Sequence, residues 1–258
     1  MKALRSLFTA LRHPAEASPR PGLVRRLLLE PRIFDLVSCL VQLRDLPALA
    51  RIRDTAPRDA FYAKVADYNA GVTEKKVITT TRRAEIYYQI LALPPRDLSA
   101  ETLLIVGPRN AHELLIARLY GYRCKNIHAI DLYSTNPKIR VMNMEAMTFR
   151  DDTFDAVVMS NTLAYARDTF QCLSEVARVL KPSGRFAFGA TYFPQGEDWP
   201  GNRVSGNDIR QMLRKLSLAV VFYSAFDKVN TLGGLQTVHI FGAQKSDPKN
   251  PGFDRIDW

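Results

Sequence analysis

The sequence predicts an α/β fold: a mostly parallel sheet wrapped by helices. Three observations predict it. Between Glu101 and Ala190, short apolar strand-like runs alternate with stretches of helical period. The first of these runs, Leu103-Leu104-Ile105-Val106, is wholly apolar, ends at Gly107, and is followed at once by a helical pattern. Farther on, the apolar runs Leu218–Phe226 and Gln236–Gln244 flank a connection carrying Gly233-Gly234, which reads as an antiparallel hairpin closing the sheet. Crossovers between parallel strands are right-handed, so the carboxyl ends of the strands open on one edge, where ligands of such sheets bind.

The elements follow in order. Residues 13–22 are rich in Pro and small residues and read as a linker. Leu23 to Glu30 is a short apolar-basic helix stopped by Pro31. Ile33 to Leu46 carries apolar residues at helical spacing, with Pro47 limiting it. Pro57 introduces a helix over Arg58 to Asn69, for which Gly71 is the expected stop. After Thr79-Thr80-Thr81, a helix runs from Arg82 to Leu93 and ends at Pro94-Pro95. These helices are expected to cover one mouth of the sheet. The sheet segment then reads as strand Thr102–Gly107, helix Asn110–Tyr122, strands Asn126–Asp131, Ile139–Met142 and Phe154–Ser160, helix Asp168–Leu180 and strand Arg185–Gly189. A loop from Thr191 to Val204 holds Tyr192, Phe193 and Trp199, and a short helix spans Asn207 to Lys215. The expected division is a basic helical segment at 1–57, the sheet domain with a helical lid at its start at 58–245, and a tail at 246–258.

The chain has 258 residues, enough for one α/β domain with a helical appendage. Its net charge of +10 is uneven: residues 1–100 carry 17 Lys/Arg against 10 Asp/Glu, and the remainder 19 against 16. That excess suits an anionic partner, whether a phosphorylated substrate, nucleic acid or a membrane surface touched by the basic N-terminus. A solvated basic face is the plainer reading. The longest early apolar run, Ile33 to Leu43, is too short to span a bilayer, and no signal-peptide cleavage site follows the basic start. Cys39, Cys124 and Cys172 are widely separated, with no CxxC pair, so buried reduced thiols in a cytoplasmic protein are expected and no metal site.

The chemistry gathers at the ends of the predicted strands. Asn110 and Glu113 form a capping-box-like helix start after Gly107, where free amides and the positive helix end favour an anion. Asp131 closes the next strand 24 residues beyond Gly107, at a spacing where an acid can accept both hydroxyls of a ribose. GxGxxG is absent after the first strand, which argues against a nicotinamide dehydrogenase. The run from Asn143-Met144-Glu145 through Phe154-Asp155-Ala156-Val157 to Glu175-Val176-Ala177-Arg178-Val179-Leu180-Lys181-Pro182-Ser183-Gly184 is the most specific stretch.

That run resembles the class I S-adenosylmethionine-dependent methyltransferases, in the type 11-like branch that reads Asp-x-Glu-x-Leu-Pro-Phe-x-Asp-x-x-Phe-Asp-x-Val and then Glu-x-x-Arg-Val-Leu-Lys-Pro-Gly-Gly. The resemblance is strong over about residues 101–190 and looser over the hairpin. It implies a Rossmann-like, doubly wound seven-stranded sheet with an antiparallel last strand, and S-adenosylmethionine as cofactor. By the same resemblance Gly107, Pro108, Arg109 and Glu113 would form a variant turn facing the methionine part of that cofactor. Asp131 would hold the ribose, with Leu132 beside the adenine. Asn143 and Met144 would sit at the adenine edge, and Ser160 and Asn161 near the sulfonium and the acceptor. The family's usual acid before the turn is Ile105 here, its further glycines are Arg109 and Ala111, and its adenine Asp is Asn143. Arg109 can pair with the cofactor carboxylate or fill the pocket.

The fourth strand ends in Ser160-Asn161-Thr162-Leu163, without the Asp/Asn-Pro-Pro-aromatic motif of enzymes that methylate base amines or glutamine amides. A small-molecule acceptor, such as a sugar or a natural-product intermediate, is therefore the leading expectation. A methyltransferase-like scaffold without catalysis and an RNA methyltransferase are the alternatives. If the acceptor is a hydroxyl, a general base helps; Tyr165, His112, Tyr192 and Asp198 are the candidates, and the sequence selects none. His239 alternates within an apolar strand and reads as structural.

Overall fold

The computed structural model describes residues 23–49, 59–75, 78, 82–93, 96–108, 110–133, 136–192, 203–229 and 235–249. The Pro-rich stretch at 13–22, the Thr79–Thr81 run, Arg109, the loop residues 193–202 with Asp198, the Gly233-Gly234 pair and the tail beyond 249 lie outside the described residues.

Seven strands form one sheet in the order β3-β2-β1-β4-β5-β7-β6. β1 (Leu103–Val106), β2 (Ile127–Asp131), β3 (Ile139–Val141), β4 (Phe154–Met159) and β5 (Leu180–Tyr192) are parallel. β7 (Leu235–Lys245) runs antiparallel between β5 and β6 (Leu218–Val229). This is the expected doubly wound sheet with an antiparallel last strand. The chain leaves β1 for β2 and β3 on one side and returns to β4 on the other, so a crevice opens between the carboxyl ends of β1 and β4.

β1 is continuously apolar, and β4 is apolar but for Asp155, because both faces of the sheet's centre are covered. Successive side chains alternate between two cores. Leu104, Val106, Val157, Met159, Phe186 and Phe188 pack with α6 (Thr169–Val179) and α7 (Gly206–Lys215). Leu103, Ile105, Ala129, Ala156, Val158 and Ala187 pack on the other face with α4 (Glu85–Ala92) and α5 (Ala111–Tyr120). Three alanines on that second face leave room for the buried rings of Tyr87 and Tyr88 from α4. The same core takes Leu28 from α1 (Leu23–Leu29) and Phe34 from α2 (Pro31–Leu49).

Two expected helix ends are corrected. Helix α2 continues past Pro47 to Leu49, because a proline near a helix end costs one bond of the ladder while Phe34, Val37 and Val41 keep the helix packed. Helix α3 (Ala60–Lys75) runs through Gly71. The cysteine expectation also changes. All three are free thiols, but only Cys172 is buried and Cys124 is exposed.

The signature residues Glu175 and Arg178 turn out to be braces. From α6, Glu175 Oε2 accepts from the Met147 amide at 2.6 Å. Arg178 donates to the carbonyls of Met147 at 2.9 Å and Phe149 at 2.8 Å, and to Asp151 at 2.7 Å. The turn between β3 and β4 is thereby fixed to the helix that follows. Ser183 stands where the family pattern has Gly, and it adopts a left-handed φ of 61°.

Two outcomes follow from this packing. A Cβ at Gly71 meets nothing within 4 Å, so Gly71→Ala is expected to raise stability by about 0.5–1 kcal/mol in denaturant unfolding. Arg178→Ala leaves two carbonyls and Glu175 without their donor and is expected to lower stability by roughly 2–3 kcal/mol in the same assay.

Candidate active site

The crevice is built where β1 and β4 end side by side. Gly107 leaves β1 with φ 71° and its amide donates to the Ile130 carbonyl at 2.8 Å. A Cβ on residue 107 would lie 2.3 Å from the side chain of Thr162. Glycine is required twice there, for the backbone angle and for the space. Thr162 Oγ1 in turn donates to the Val106 carbonyl at 3.2 Å. Pro108 is buried beside this turn. Asn110 caps α5 by accepting from the His112 amide at 3.0 Å.

At the end of β4, Asn161 holds a left-handed φ of 58°. Its side chain is hydrogen bonded to the Tyr87 hydroxyl. Gly189 on β5 makes that meeting possible, since a Cβ there would lie 2.0 Å from the Tyr87 hydroxyl and 2.4 Å from Asn161 Oδ1. Burial pushes the Tyr87 hydroxyl well above its ordinary pKa. Among the described residues, Ser160 Oγ and Asn161 Oδ1 are buried and have no hydrogen-bond partner. Two adjacent buried polar atoms without a partner, one of them on a left-handed residue, are rare in a packed interior.

The other edge of the crevice is formed by β2 and the turn after β3. Asp131 ends β2, half-buried, with Oδ1 accepting from the Leu132 amide at 2.7 Å and its carbonyl accepting from the Met142 amide. Asn143 Oδ1 accepts from the Glu145 amide at 2.9 Å, and Met144 is buried.

Helix α3 lies against this edge through partners the sequence did not name. The Tyr62 hydroxyl is hydrogen bonded to Glu145 and Asn143. Arg167 ion-pairs with Asp59 and lies over the rings of Phe61, at 5.1 Å, and Tyr62, at 4.8 Å. The Arg167 amide itself donates to Glu145 Oε1 at 2.5 Å.

The predicted site residues thus fall into two groups. Gly107, Pro108, Asp131, Leu132, Asn143, Met144, Ser160 and Asn161 stand on the ends and turns of β1, β2, β3 and β4. Glu113 is in the first turn of α5, partly buried, and Arg109 is outside the described residues. The base candidates are scattered. His112 is 2% exposed, with Nδ1 2.7 Å from Ser38 Oγ and its ring edge-on to Phe34, so it ties α5 to α2. Tyr165 ends a 3-10 turn and packs on the core, and Tyr192 ends β5, half-buried. His239 is buried, with Nδ1 3.0 Å from the Tyr223 hydroxyl. Among the described residues no group of three His, Cys, Asp or Glu could hold a metal ion, and no helix is long and apolar enough to cross a membrane.

Burial and then Glu145 push the Tyr62 hydroxyl from 10.0 to about 12. The fold therefore favours its neutral form. That stability is complete below pH 10 and is lost as pH rises from 10 through about 12. The stability of Tyr62→Phe is expected to fall less between pH 9.5 and 11.5 (about the foot and upper part of that window) than that of the parent chain, in denaturant unfolding at each pH.

Comparisons agree with this architecture. Residues 113–188 match a family model described as a methyltransferase domain. A proposed methyltransferase of Bacillus halodurans superposes with a TM-score of 0.51 at 16% identity, over 62% of this chain and 97% of its own. A proposed sarcosine dimethylglycine methyltransferase of Galdieria sulphuraria gives 0.51 at 14% identity, over 65% and 87%. The Haemonchus contortus phosphoethanolamine N-methyltransferase 2, solved with phosphomonomethylethanolamine and S-adenosylhomocysteine, gives 0.54 at 12% identity, over 76% and 60%. No curated protein matches the chain. With that domain matched over residues 113–188 inside a sheet of this topology, the chain carries a methyltransferase domain on a Rossmann-like fold.

Proposed function

We propose that the enzyme methylates a small molecule in the crevice between β1 and β4, in the cytoplasm, and that a sugar or natural-product intermediate is its acceptor. In this reading residues 58–245 form the methyltransferase domain with its helical lid, 1–57 a basic helical segment and 246–258 a tail. The observation that carries it is the pair of orphaned acceptors, Ser160 Oγ and Asn161 Oδ1, buried at the end of β4. Polar groups left unpaired on both neighbouring residues fit a polar ligand that completes them.

The residues present fit the cofactor. Gly107 and Pro108 would bring backbone close to its methionine part, and Arg109 and Glu113 would meet the charged groups of that part. Asp131 would accept from the ribose hydroxyls, Leu132 would pack on the adenine, and Asn143 and the Met144 amide would read its edge. When bound, S-adenosylmethionine supplies an electrophilic methyl group on sulfur. The chain's part is to align the acceptor and exclude water. Such positioning is worth roughly 7–11 kcal/mol of barrier. Tyr87 holds the Asn161 carboxamide, whose remaining oxygen would accept from an N–H or O–H of the acceptor. Tyr62 closes the adenine side. The absence of Pro-Pro-aromatic after Asn161 supports a small acceptor over a nucleobase.

Calorimetric titration with S-adenosylhomocysteine is expected to give a Kd on the order of micromolar. Asp131→Ala should weaken it about 100-fold or more through loss of paired charge-assisted hydrogen bonds. No heat at about 1 mM ligand would contradict the site and favour a scaffold without catalysis. RNA binding that weakens steeply with salt would favour the RNA reading instead.

A further inference from the structure

Helix α2 meets the start of α5 through buried polar side chains. Ser38 and Gln42 lie one turn apart on α2, and Asn110 and His112 stand at the first turn of α5. All four are buried. Their hydrogen bonds close a ring. Asn110 Nδ2 donates to Gln42 Oε1 at 3.2 Å. Gln42 Nε2 donates to Ser38 Oγ at 2.9 Å. Ser38 Oγ is 2.7 Å from His112 Nδ1, and the His112 amide donates to Asn110 Oδ1 at 3.0 Å. With His112 Nδ1 as the bare ring nitrogen, each member accepts from one neighbour and donates to the next. Bonds chained in this way polarise one another and hold their members to one geometry.

The place of the ring gives it a role. Asn110 caps α5 and ends the short connection from Gly107, the single glycine of that connection. One turn farther along α2, Asp45 Oδ2 accepts from Asn136 Nδ2 at 2.6 Å. Asn136 is buried in the connection that follows Asp131 and Leu132, and its Oδ1 accepts from the Lys138 amide at 2.9 Å. One helix is therefore bonded to both connections, the one after β1 and the one after β2. An apolar seam between α2 and the domain would avoid the cost of burying these polar groups. What the polar seam adds is a fixed geometry at those two connections. We propose that α2 is a positioning element of the cofactor site: Ser38 and Gln42 set the turn that meets the methionine part, and Asp45 sets the connection beside the nucleoside. This rests on the cofactor reading above and adds the N-terminal helices to the site.

The full chain is titrated calorimetrically with two ligands, S-adenosylhomocysteine and methylthioadenosine, below the thermal midpoint of every variant. The second ligand keeps the nucleoside and the sulfur but lacks the amino-acid part. Gln42→Met keeps the length of the side chain and breaks the ring. It is expected to weaken S-adenosylhomocysteine about tenfold or more and methylthioadenosine by less than about twofold. Ser38→Ala, a smaller change, should give the same split at about threefold for S-adenosylhomocysteine. Asp45→Ala should weaken both ligands alike, by about threefold or more. A helix that merely stabilises the fold gives no split between the ligands. Equal weakening of both by the Gln42 and Ser38 variants, or parental affinity for both, therefore overturns the proposal while leaving the cofactor site intact. Parental affinity for both ligands in Asp45→Ala overturns the part assigned to Asp45. A parent chain that binds neither ligand overturns the cofactor reading and this proposal together.

Discussion

One contact organises the catalytic edge of this protein. The side chain of Thr162, just past β4, fills the space that any side chain on residue 107 would need. Because residue 107 is glycine in a left-handed conformation, the ends of β1 and β4 close to contact distance. The turn to α5 and the turn to Tyr165 then form one surface. Asn161 is held on that surface by Tyr87 through the gap that Gly189 leaves. Two glycines on two strands thus define where the crevice narrows.

The most recognisable sequence motif serves this edge indirectly. Glu145, Glu175 and Arg178 touch no reacting position; they bond backbone amides and carbonyls between 147 and 168. Their effect is to hold Asn143 and Met144 at a fixed place beside Asp131. Glu145 also receives the Tyr62 hydroxyl, so the same carboxylate that braces the turn anchors α3 over it. Arg167 adds the ion pair with Asp59 and the two aromatic faces. Helix α3 is therefore latched to the turn after β3.

The sheet was legible because its centre is covered on both faces: β1 is an uninterrupted apolar run, as is the 156–159 part of β4. The places of Asp131 and Gly107 at strand ends were legible because strand ends and glycines have few roles. The lid was not. Tyr62 and Arg167 are 105 residues apart in the chain, and an aromatic residue in a short helix looks the same whether it packs inward or closes a site. Gly71 and Pro47 misled because tertiary packing outweighs the local preference of one residue. The orphaned atoms of Ser160 and Asn161 exist only in three dimensions, since no spacing rule tells which polar group will lack a partner.

A crystal structure of the chain with S-adenosylhomocysteine tests the account most directly. The account places both ribose hydroxyls within hydrogen-bond distance of the Asp131 carboxylate, the adenine beside Leu132 and Asn143, and the sulfur toward Asn161. A nucleoside seated elsewhere on the sheet edge, or an Asp131 carboxylate facing away from it, would contradict the account.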